Sequence, residues 1–338
     1  MTPPKAVFET LRTLSRHLSG SPPAELTFPE IRGVAEAAPP DRPLRILSWN
    51  LQYAAGRDQT FFYDGGTAVS VDRATVMRTL DGIADVLRSA DADIVLLQEV
   101  DRNSRRTAFV DEHAELRRRL NFPCDVSATY HRSPYIPFPT HEHLGRVDMH
   151  LSIFSRFGLG FSRRHPLPSL REPPIRRLFN LRRAILEAHV LRDGSASFVS
   201  FNTHFSAFSR GDGTVLRQVS VSKMLLDACS AEGHPWVFAG DLNALPPGDH
   251  AARLPDPDEY PENPTPIAPL FESYAQPNPV LLDPTLRTYL PPGAIAPDRV
   301  LDYVFNSSNV QLSGFRTIRE AGALSDHLPF VVDVNFLH

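Results

Sequence analysis

The sequence predicts an α/β domain whose core is two β-sheets packed face to face, with helices on the outside. Short apolar runs bounded by polar or turn residues recur along the chain, as expected for buried strands. Helical patterns lie between only some of these runs, so the regular strand–helix alternation of a doubly wound single sheet is missing. A sheet-on-sheet core flanked by helices therefore fits the pattern better.

The predicted strands are the short apolar runs themselves. Each is too short for a typical helix, and each ends at polar or turn-forming residues. The runs are 44–49, 94–97, 151–154, 184–190, 198–202, 236–239, 301–305 and 330–336.

Two helices are predicted from apolar residues that recur at helical spacing. In "VDRATVMRTLDGIADVLRSA", the face is formed by Val76, Leu80, Ile83, Ala84 and Leu87. A second pattern contains Val215, Val219, Met224 and Leu225.

The first 43 residues are predicted to form an N-terminal helix and a Pro/Ala-rich arm outside a folded domain at 44–338. In residues 4–19 the apolar side chains fall roughly on one helical face, which favours docking on the body of the protein over docking on a membrane surface. Residues 20–43, "GSPPAELTFPEIRGVAEAAPPDRP", have the composition of a surface arm or linker.

Composition narrows the functional classes. A formal net charge of -4 argues against a protein that coats nucleic acid without sequence preference. No run approaches the length of a membrane span and the N-terminus lacks the apolar centre of a signal peptide, so we expect a soluble, cytoplasmic protein. The only cysteines, Cys124 and Cys229, imply no disulfide framework and are expected to be core or inert thiols.

Polar residues follow the predicted strands with a regularity that is unusual for random scatter. Each one alone reads as a turn residue or a solvated strand end. Together they offer carboxylate and amide oxygens for a hard divalent cation, an imidazole base, and donors to a developing anion, a set that suits attack on phosphorus. The residues that follow a run are Asn50, Gln98–Glu99, Thr203–His204, and Asp241 with Asn243. Asp302 comes directly after Leu301, and Asp326–His327 precede the last run.

The ordered set "SWN", "LQEV", "NTH", "GDLN", "LDY" and "SDH" resembles the endonuclease/exonuclease/phosphatase family of metal-dependent phosphodiesterases and phosphatases. No single triplet is specific, but six in this order over residues 44–336 are. The resemblance implies a four-layer α/β/β/α sandwich of the DNase I type, with the active site at one rim of the two sheets and Mg²⁺ or Mn²⁺ as cofactor.

The resemblance also implies roles for individual residues. The metal ligands would be Glu99, Asn50 and Asp326. His327 would be the general base or a stabiliser of phosphoryl oxygens, oriented by Asp302. Asp241 would position or deprotonate the nucleophile, Asn243 would donate to a nonbridging oxygen, and His204 would contact the scissile phosphate or assist the leaving group. Arg183 would reach the phosphate, with Arg182 as the other candidate.

One departure from the family pattern bears on the substrate. Gln52 stands where several DNA-repair members carry an aspartate, two residues after the asparagine of "WN". A neutral amide weakens the case for a second metal there and argues against apurinic endonuclease chemistry.

Two segments are candidates for substrate recognition. The segment 162–183 is rich in arginine and is predicted to be either a solvated loop or an electropositive wall for an anionic group. The segment 129–150, with four histidines, is predicted to be a rigid loop over the site that offers Tyr130, Tyr135 or His143 to the substrate. Neither shows the interleaved Lys and aromatic residues of a single-strand groove.

The leading hypothesis is a divalent-metal-dependent phosphodiesterase that acts by in-line water attack on a compact substrate, such as a phospholipid head group or a nucleotide. The alternatives are a nuclease, a phosphomonoesterase and, more remotely, an inactive protein that binds a phosphorylated ligand. Nucleic acid is a possible but not a favoured partner.

Overall fold

In the computed structural model, the described residues are 25–171, 181–207, 209, 211–249, 251–274 and 286–337. The predicted N-terminal helix at 4–19 lies outside them, as does the middle of the Arg-rich segment. The described residues form two β-sheets and four α-helices.

Sheet 1 has seven strands in the order β1-β4-β5-β3-β2-β12-β11. It combines the N-terminal strands with the two last ones, and β2 and β3 run parallel. Its strands are β1 (Ile31–Arg32), β2 (Leu44–Asn50), β3 (Ile94–Asp101), β4 (Cys124–Ile136), β5 (Gly145–Ser155), β11 (Val310–Thr317) and β12 (Phe330–Phe336).

Sheet 2 has five strands in the order β10-β9-β8-β7-β6, all from the middle of the chain. Here β8 and β9 form the parallel pair. Its strands are β6 (Leu159–Pro166), β7 (Ala184–Val190), β8 (Phe198–His204), β9 (Trp236–Asp241) and β10 (Asp302–Asn306).

All eight predicted strands are present, and 184–190 and 330–336 have the predicted bounds. Four strands were not predicted, because their sequences are mixed or polar: β1, β4, β6 and β11. The prediction of a loop at 129–150 was wrong. Most of that segment lies in a long antiparallel hairpin of β4 and β5, with only the turn between them irregular.

The four helices are α1 (Arg73–Ala90), α2 (Glu112–Arg119), α3 (Thr214–Ala231) and α4 (Ala268–Ser273). The Asp72 side chain caps α1 by accepting a hydrogen bond from the Thr75 amide at 2.9 Å, and Asp91 ends it in a left-handed conformation. The predicted face of α1 is buried as expected. In α3 the prediction was wrong at Met224, which is 70% exposed, whereas Val215 and Val219 are buried.

Three apolar clusters separate four layers of structure. Alternate residues of each strand point to opposite faces, so Ile46 packs between the sheets while Leu47 and Trp49 pack under α1. On the far side, Phe201 and Phe238 of sheet 2 pack against α3 and α4. The observed fold is the predicted α/β/β/α sandwich.

A polar contact ties the two sheets together beneath the rim. Gln98 of sheet 1 donates through Nε2 to Oδ1 of Asn202 in sheet 2 at 2.7 Å, and Asn202 donates back to the Leu97 carbonyl at 2.9 Å. Both side chains are fully buried. Because a buried amide without partners is costly, this reciprocal pairing fixes the relative position of the strands that carry Glu99 and His204.

The described part of the N-terminal arm runs along the body of the sandwich. Ile31 and Arg32 pair with β4, and the Ala38 amide donates to the Leu191 carbonyl at 2.8 Å. Thr27 pairs with Arg164 of β6. The arm therefore contacts both sheets at their edges, and a domain boundary at residue 43 stays a prediction.

Candidate active site

The site lies at the rim where strands from both sheets end. In the parallel pair β8–β9, His204 is in register with Asp241, and in the antiparallel pair β9–β10, Asp241 is in register with Asp302. These three residues come from separate parts of the sequence and become neighbours through strand pairing. The predicted convergence of His204, Asp241 and Asp302 is therefore present.

His327 joins this group from the other sheet. Its Nδ1 lies 2.8 Å from Oδ2 of Asp302, and its Nε2 lies 3.6 Å from Oδ2 of Asp241. The segment is held in place by Ser325, whose hydroxyl donates to the Asn50 carbonyl at 2.7 Å and accepts from the His327 amide at 3.1 Å. The serine therefore links the last strand of sheet 1 to the site.

Asp241 is the central residue of the cluster. Its Oδ2 accepts a hydrogen bond from Nδ2 of Asn50 at 3.0 Å and lies 3.3 Å from Nε2 of His204. Its Oδ1 accepts from the main-chain amide of Asn243 at 2.9 Å. Together with His327, these residues make four predicted site residues that contact one buried carboxylate.

Asn243, predicted to donate to a nonbridging oxygen, has a main-chain partner in the structure. Its Nδ2 donates to the Phe205 carbonyl at 3.1 Å, and its backbone has a φ of 46°. The side chain lines the cleft, so a contact with phosphate stays a prediction.

Two residues at the rim, Glu99 and Gly240, have positive φ angles. Glu99 has a φ of 54° within an irregularity between Leu97 and Val100, where β3 departs from regular pairing with β5. Gly240 has a φ of 142°, and a Cβ there would lie 2.0 Å from the Thr203 carbonyl oxygen. The bulge turns Glu99 into the cleft, and only glycine fits before Asp241.

Burial and charge set the protonation of the cluster. Burial, reinforced by Asp302, raises the pKa of Asp241 to about 7. Burial alone would lower the pKa of His327, but the carboxylates of Asp302 and Asp241 outweigh it and hold that pKa well above the ordinary histidine value. Burial, together with Arg183 and His327, holds the pKa of His204 well below its ordinary value, so His204 is neutral.

The pKa of Asp326, like that of Asp241, is raised by its surroundings. Burial, with added repulsion from Glu99, Asp64 and Asp241, raises its pKa to about 7. Its amide donates to Oε1 of Gln52 at 3.3 Å, so the glutamine at the atypical position supports the main chain of the site.

The residues present fit a divalent cation. Asp241, Asp302 and His327 each offer a ligand atom within 4.8 Å of the others, which is the one such group among the described residues. This set differs from the predicted ligands Glu99, Asn50 and Asp326. Carboxylates crowded enough to raise each other's pKa are stabilised by a hard cation, and oxygen donors are the ligands it prefers.

The predicted substrate-binding residues are placed unequally. Arg183 is 2% exposed, lines the cleft, and has its guanidinium over the Tyr130 ring at 5.5 Å. Tyr130 is fully buried behind His204, with its hydroxyl 3.1 Å from Nδ1 of that histidine. His143 contacts Tyr135 in the hairpin turn and does not line the cleft. Substrate contacts by these three residues stay predictions.

The cleft over the cluster has a volume of about 300 Å³. Its walls include residues that the sequence analysis did not single out, because no motif marks them. These are Tyr53, Tyr63, Asp64, Arg106, His131, Ile136, Leu144, Val147, Leu181, Glu259, Tyr260 and Tyr289.

Among the described parts of the chain, no helix is both long and apolar enough to cross a membrane.

Comparisons with known proteins agree with this geometry. A model of the endonuclease/exonuclease/phosphatase family matches residues 47–327. A structure described as endonuclease/exonuclease/phosphatase from Beutenbergia cavernae is 24% identical, covers 88% of this chain and 72% of its own, and has a TM-score of 0.60. The human Nocturnin catalytic domain is 16% identical, with coverage of 91% and 97% and a TM-score of 0.55.

A mannosyl-6-phosphatase from Bacteroides thetaiotaomicron is 15% identical, with coverage of 87% and 100% and a TM-score of 0.53. No curated protein sequence matches the chain. The structural likenesses are at low identity and show the fold, whereas the family model spans most of the sequence. The chain belongs to the endonuclease/exonuclease/phosphatase family and is an enzyme that hydrolyses phosphoric esters.

Proposed function

We propose that this protein is a Mg²⁺- or Mn²⁺-dependent phosphodiesterase that hydrolyses a compact substrate by in-line attack of water. The observation that carries the proposal is the buried cluster in which Asp241 lies within 3.6 Å of His327 and 3.3 Å of His204, while Asp302 holds the other nitrogen of His327. Acidic, cationic and amide groups in one small cleft suit a reaction that depends on positioning and charge stabilisation.

Glu99, with Asn50 and Asp326, would hold the cation. A bound divalent ion would neutralise charge on the phosphate and on the leaving oxygen. The crowding of Glu99, Asp64 and Asp241 around Asp326 supports this assignment. The group formed by Asp241, Asp302 and His327 is the second candidate ligand set, and it would bind a cation only if His327 gave up its proton.

The pKa shifts in the cluster favour different roles for His327 and Asp241. His327 is held as imidazolium by two carboxylates, so it is suited to bind a phosphoryl oxygen rather than to accept a proton. Asp241, whose pKa is raised to about 7, is suited to take the proton of the attacking water. Water attacks phosphorus, the bond to the leaving oxygen breaks, and that oxygen takes a proton from solvent.

The size and lining of the cleft support a compact substrate. A volume of about 300 Å³ is at the small end for ligand sites. The walls alternate charged side chains with tyrosines and aliphatic residues, which suits a phosphate that carries a partly apolar substituent.

The test is hydrolysis of bis(p-nitrophenyl) phosphate and p-nitrophenyl phosphate with Mg²⁺, Mn²⁺ or EDTA. We expect metal-dependent turnover of the diester, abolished in His327→Ala and Glu99→Gln while circular dichroism stays unchanged. Preference for the monoester would assign a phosphatase, and cleavage of plasmid or oligonucleotide at low salt would assign a nuclease. Tight binding of a phosphorylated ligand without any turnover would contradict hydrolysis altogether.

A further inference from the structure

We propose that His131 is a specificity-determining residue, which hydrogen-bonds to a neutral hydroxyl or carbonyl oxygen on the substituent of the phosphate in a part of the cleft that disfavours cationic substituents. The inference rests on the proposed function and names the class of substrate that the same cleft takes.

A β-bulge turns His131 into the cleft. Thr129 pairs with His150 and His131 pairs with Met149, so Tyr130 is an extra residue in β4. Thr129 and Arg132 both contact Asp148, at 3.2 Å and 2.8 Å, and therefore lie on one face of the hairpin.

The two residues between them are both turned to the other face. Tyr130 lies behind His204, while His131 lines the cleft. Bulges are a common means of re-aiming side chains next to active sites.

His131 is buried without the partners that a structural histidine has. It is 4% exposed, and its Nδ1 has no hydrogen-bond partner among the residues that the structure describes. Two other buried histidines near this hairpin have partners for both ring nitrogens. His113 contacts Ser152 and Asp125, and His150 contacts Ser127 and Asp148. A buried polar side chain is costly when unpaired, and because His131 lines the cleft, a ligand there can supply its ring with a hydrogen-bond partner.

The imidazole of His131 is neutral. Burial, followed by repulsion from Arg106, Arg183 and Arg182, lowers its pKa to about 3, and the opposing effect of Asp148 is smaller. A neutral imidazole has one N–H donor and one acceptor nitrogen. It therefore suits a neutral polar group, and the guanidinium of Arg183 in the same cleft disfavours an ammonium group at this end.

The surroundings define the rest of the ligand. Ile136, Leu144 and Val147 from the same hairpin provide an apolar wall. Arg183 lines the same cleft, and its Nε and Nη1 atoms are buried without a partner among the described residues. A phosphate oxygen on Arg183 and a hydroxyl- or carbonyl-bearing substituent against the wall would satisfy both side chains.

The test compares two chromogenic diesters that share a leaving group, the p-nitrophenyl ester of thymidine 5′-phosphate and p-nitrophenyl phosphorylcholine. We expect the wild type to prefer the thymidine ester by about 10-fold or more in kcat/KM. In His131→Leu that ratio should fall about 10-fold, mainly through KM, and His131→Asn should restore part of it. A preference of the wild type for the choline ester, or an unchanged ratio in His131→Leu, would overturn the inference.

Two controls separate recognition from folding. His131→Leu removes an unpaired polar atom, so its thermal unfolding midpoint should equal that of the wild type. A lower midpoint, with equal losses of kcat/KM on both esters, would mean that His131 has a structural role. His234→Leu is the matched histidine substitution, since His234 precedes β9 and bonds the Ser197 carbonyl at the strand end opposite Asp241. It should leave the ratio unchanged.

The proposed function is checked separately by metal-dependent cleavage of bis(p-nitrophenyl) phosphate. If the wild type cleaves no diester, calorimetric binding of thymidine 5′-phosphate and phosphocholine still tests His131. Tighter binding of the nucleotide that is lost in His131→Leu would support the inference, and equal binding of both would overturn it.

Discussion

Nδ1 of His327 lies 2.8 Å from Oδ2 of Asp302, and this contact joins the two sheets at the site. His327 precedes the last strand of sheet 1, whereas Asp302 opens an edge strand of sheet 2. The carboxylate fixes the ring orientation and helps to keep it charged, so that Nε2 faces Asp241.

Replacing Asp302 with asparagine should therefore impair catalysis more than folding. We expect Asp302→Asn to lower kcat on bis(p-nitrophenyl) phosphate by about 100-fold or more, because His327 loses both its orientation and its charge partner. Asp333→Asn is the matched control: Asp333, on the last strand, forms a partly exposed ion pair with Arg45 of β2, so the variant should keep near-normal kcat. Equal losses in the two variants would refute the role of the contact.

Cation binding should be visible without any substrate. At a Mg²⁺ concentration about 100-fold above Kd, binding to the folded state adds about 2.7 kcal/mol to the free energy of unfolding. We expect Mg²⁺ to raise the thermal midpoint of the wild type and not of Glu99→Gln. Glu115→Gln changes a carboxylate that pairs with Arg118 and Arg119 of α2 outside the cleft, so this variant should respond like the wild type. A full response in Glu99→Gln would exclude Glu99 as a principal ligand.

Arg106 should matter for stability because of where its ion pair lies. Its guanidinium donates to both oxygens of Asp101 at 2.7 Å and 2.9 Å, and both side chains are almost completely buried. Arg106→Met leaves a buried carboxylate unpaired and should lower the free energy of unfolding by about 3–5 kcal/mol.

The neighbouring pair of Arg102 with Asp111 has a similar distance of 2.9 Å but is partly exposed. Arg102→Met should therefore cost about 1 kcal/mol or less. Urea denaturation of both variants gives the comparison, and similar losses would contradict the dependence on burial.

Glu187 should make stability depend on acid pH. Burial alone would raise its pKa, but hydrogen bonds from His165 and His189 outweigh it and lower the pKa from 4.5 to about 2. Because the folded state holds the carboxylate more acidic than the unfolded chain does, its contribution is full above pH 4.5 and is lost as the pH falls towards 2.

Glu187→Gln should accordingly reduce the free energy of unfolding by about 2 kcal/mol at pH 6. The difference from the wild type should shrink between pH 4.5 and 2 in denaturation curves. Asp85→Asn, which removes an exposed partner of Arg88, should show a small difference with little pH dependence. A constant deficit for Glu187→Gln across this range would contradict the assignment.

The strands were predictable where burial dominates the sequence. Five of the seven residues in each of the runs 184–190 and 330–336 are apolar, because β7 lies within sheet 2 and β12 lies between β2 and β11. The segment "SATYHRSPYI" gave no such signal, since its inward residues include Tyr130 and His131 and its outward residues are charged or polar. The bulge removes the simple alternation that a strand prediction needs.

The site was predictable as a set of motifs but not as a set of contacts. Asn50 could be placed at a strand end from the sequence, whereas Glu99, expected after the run 94–97, lies within β3. Nothing local indicates that Asn50 donates to Asp241. The lining residues Arg106 and His131 reach the cleft through a turn and a bulge, which depend on tertiary packing rather than on local patterns.

The order of the strands has a consequence for the timing of synthesis. Sheet 2 is formed by consecutive strands, and the chain then returns to insert β12 beside β2, bringing Asp326 and His327 to a rim whose other residues are already made. A nascent chain on the ribosome can thus display Glu99, His204 and Asp241 for many seconds without the imidazole that completes the cluster. If His327 has the proposed role in binding a phosphoryl oxygen, hydrolysis begins only once this strand is in place.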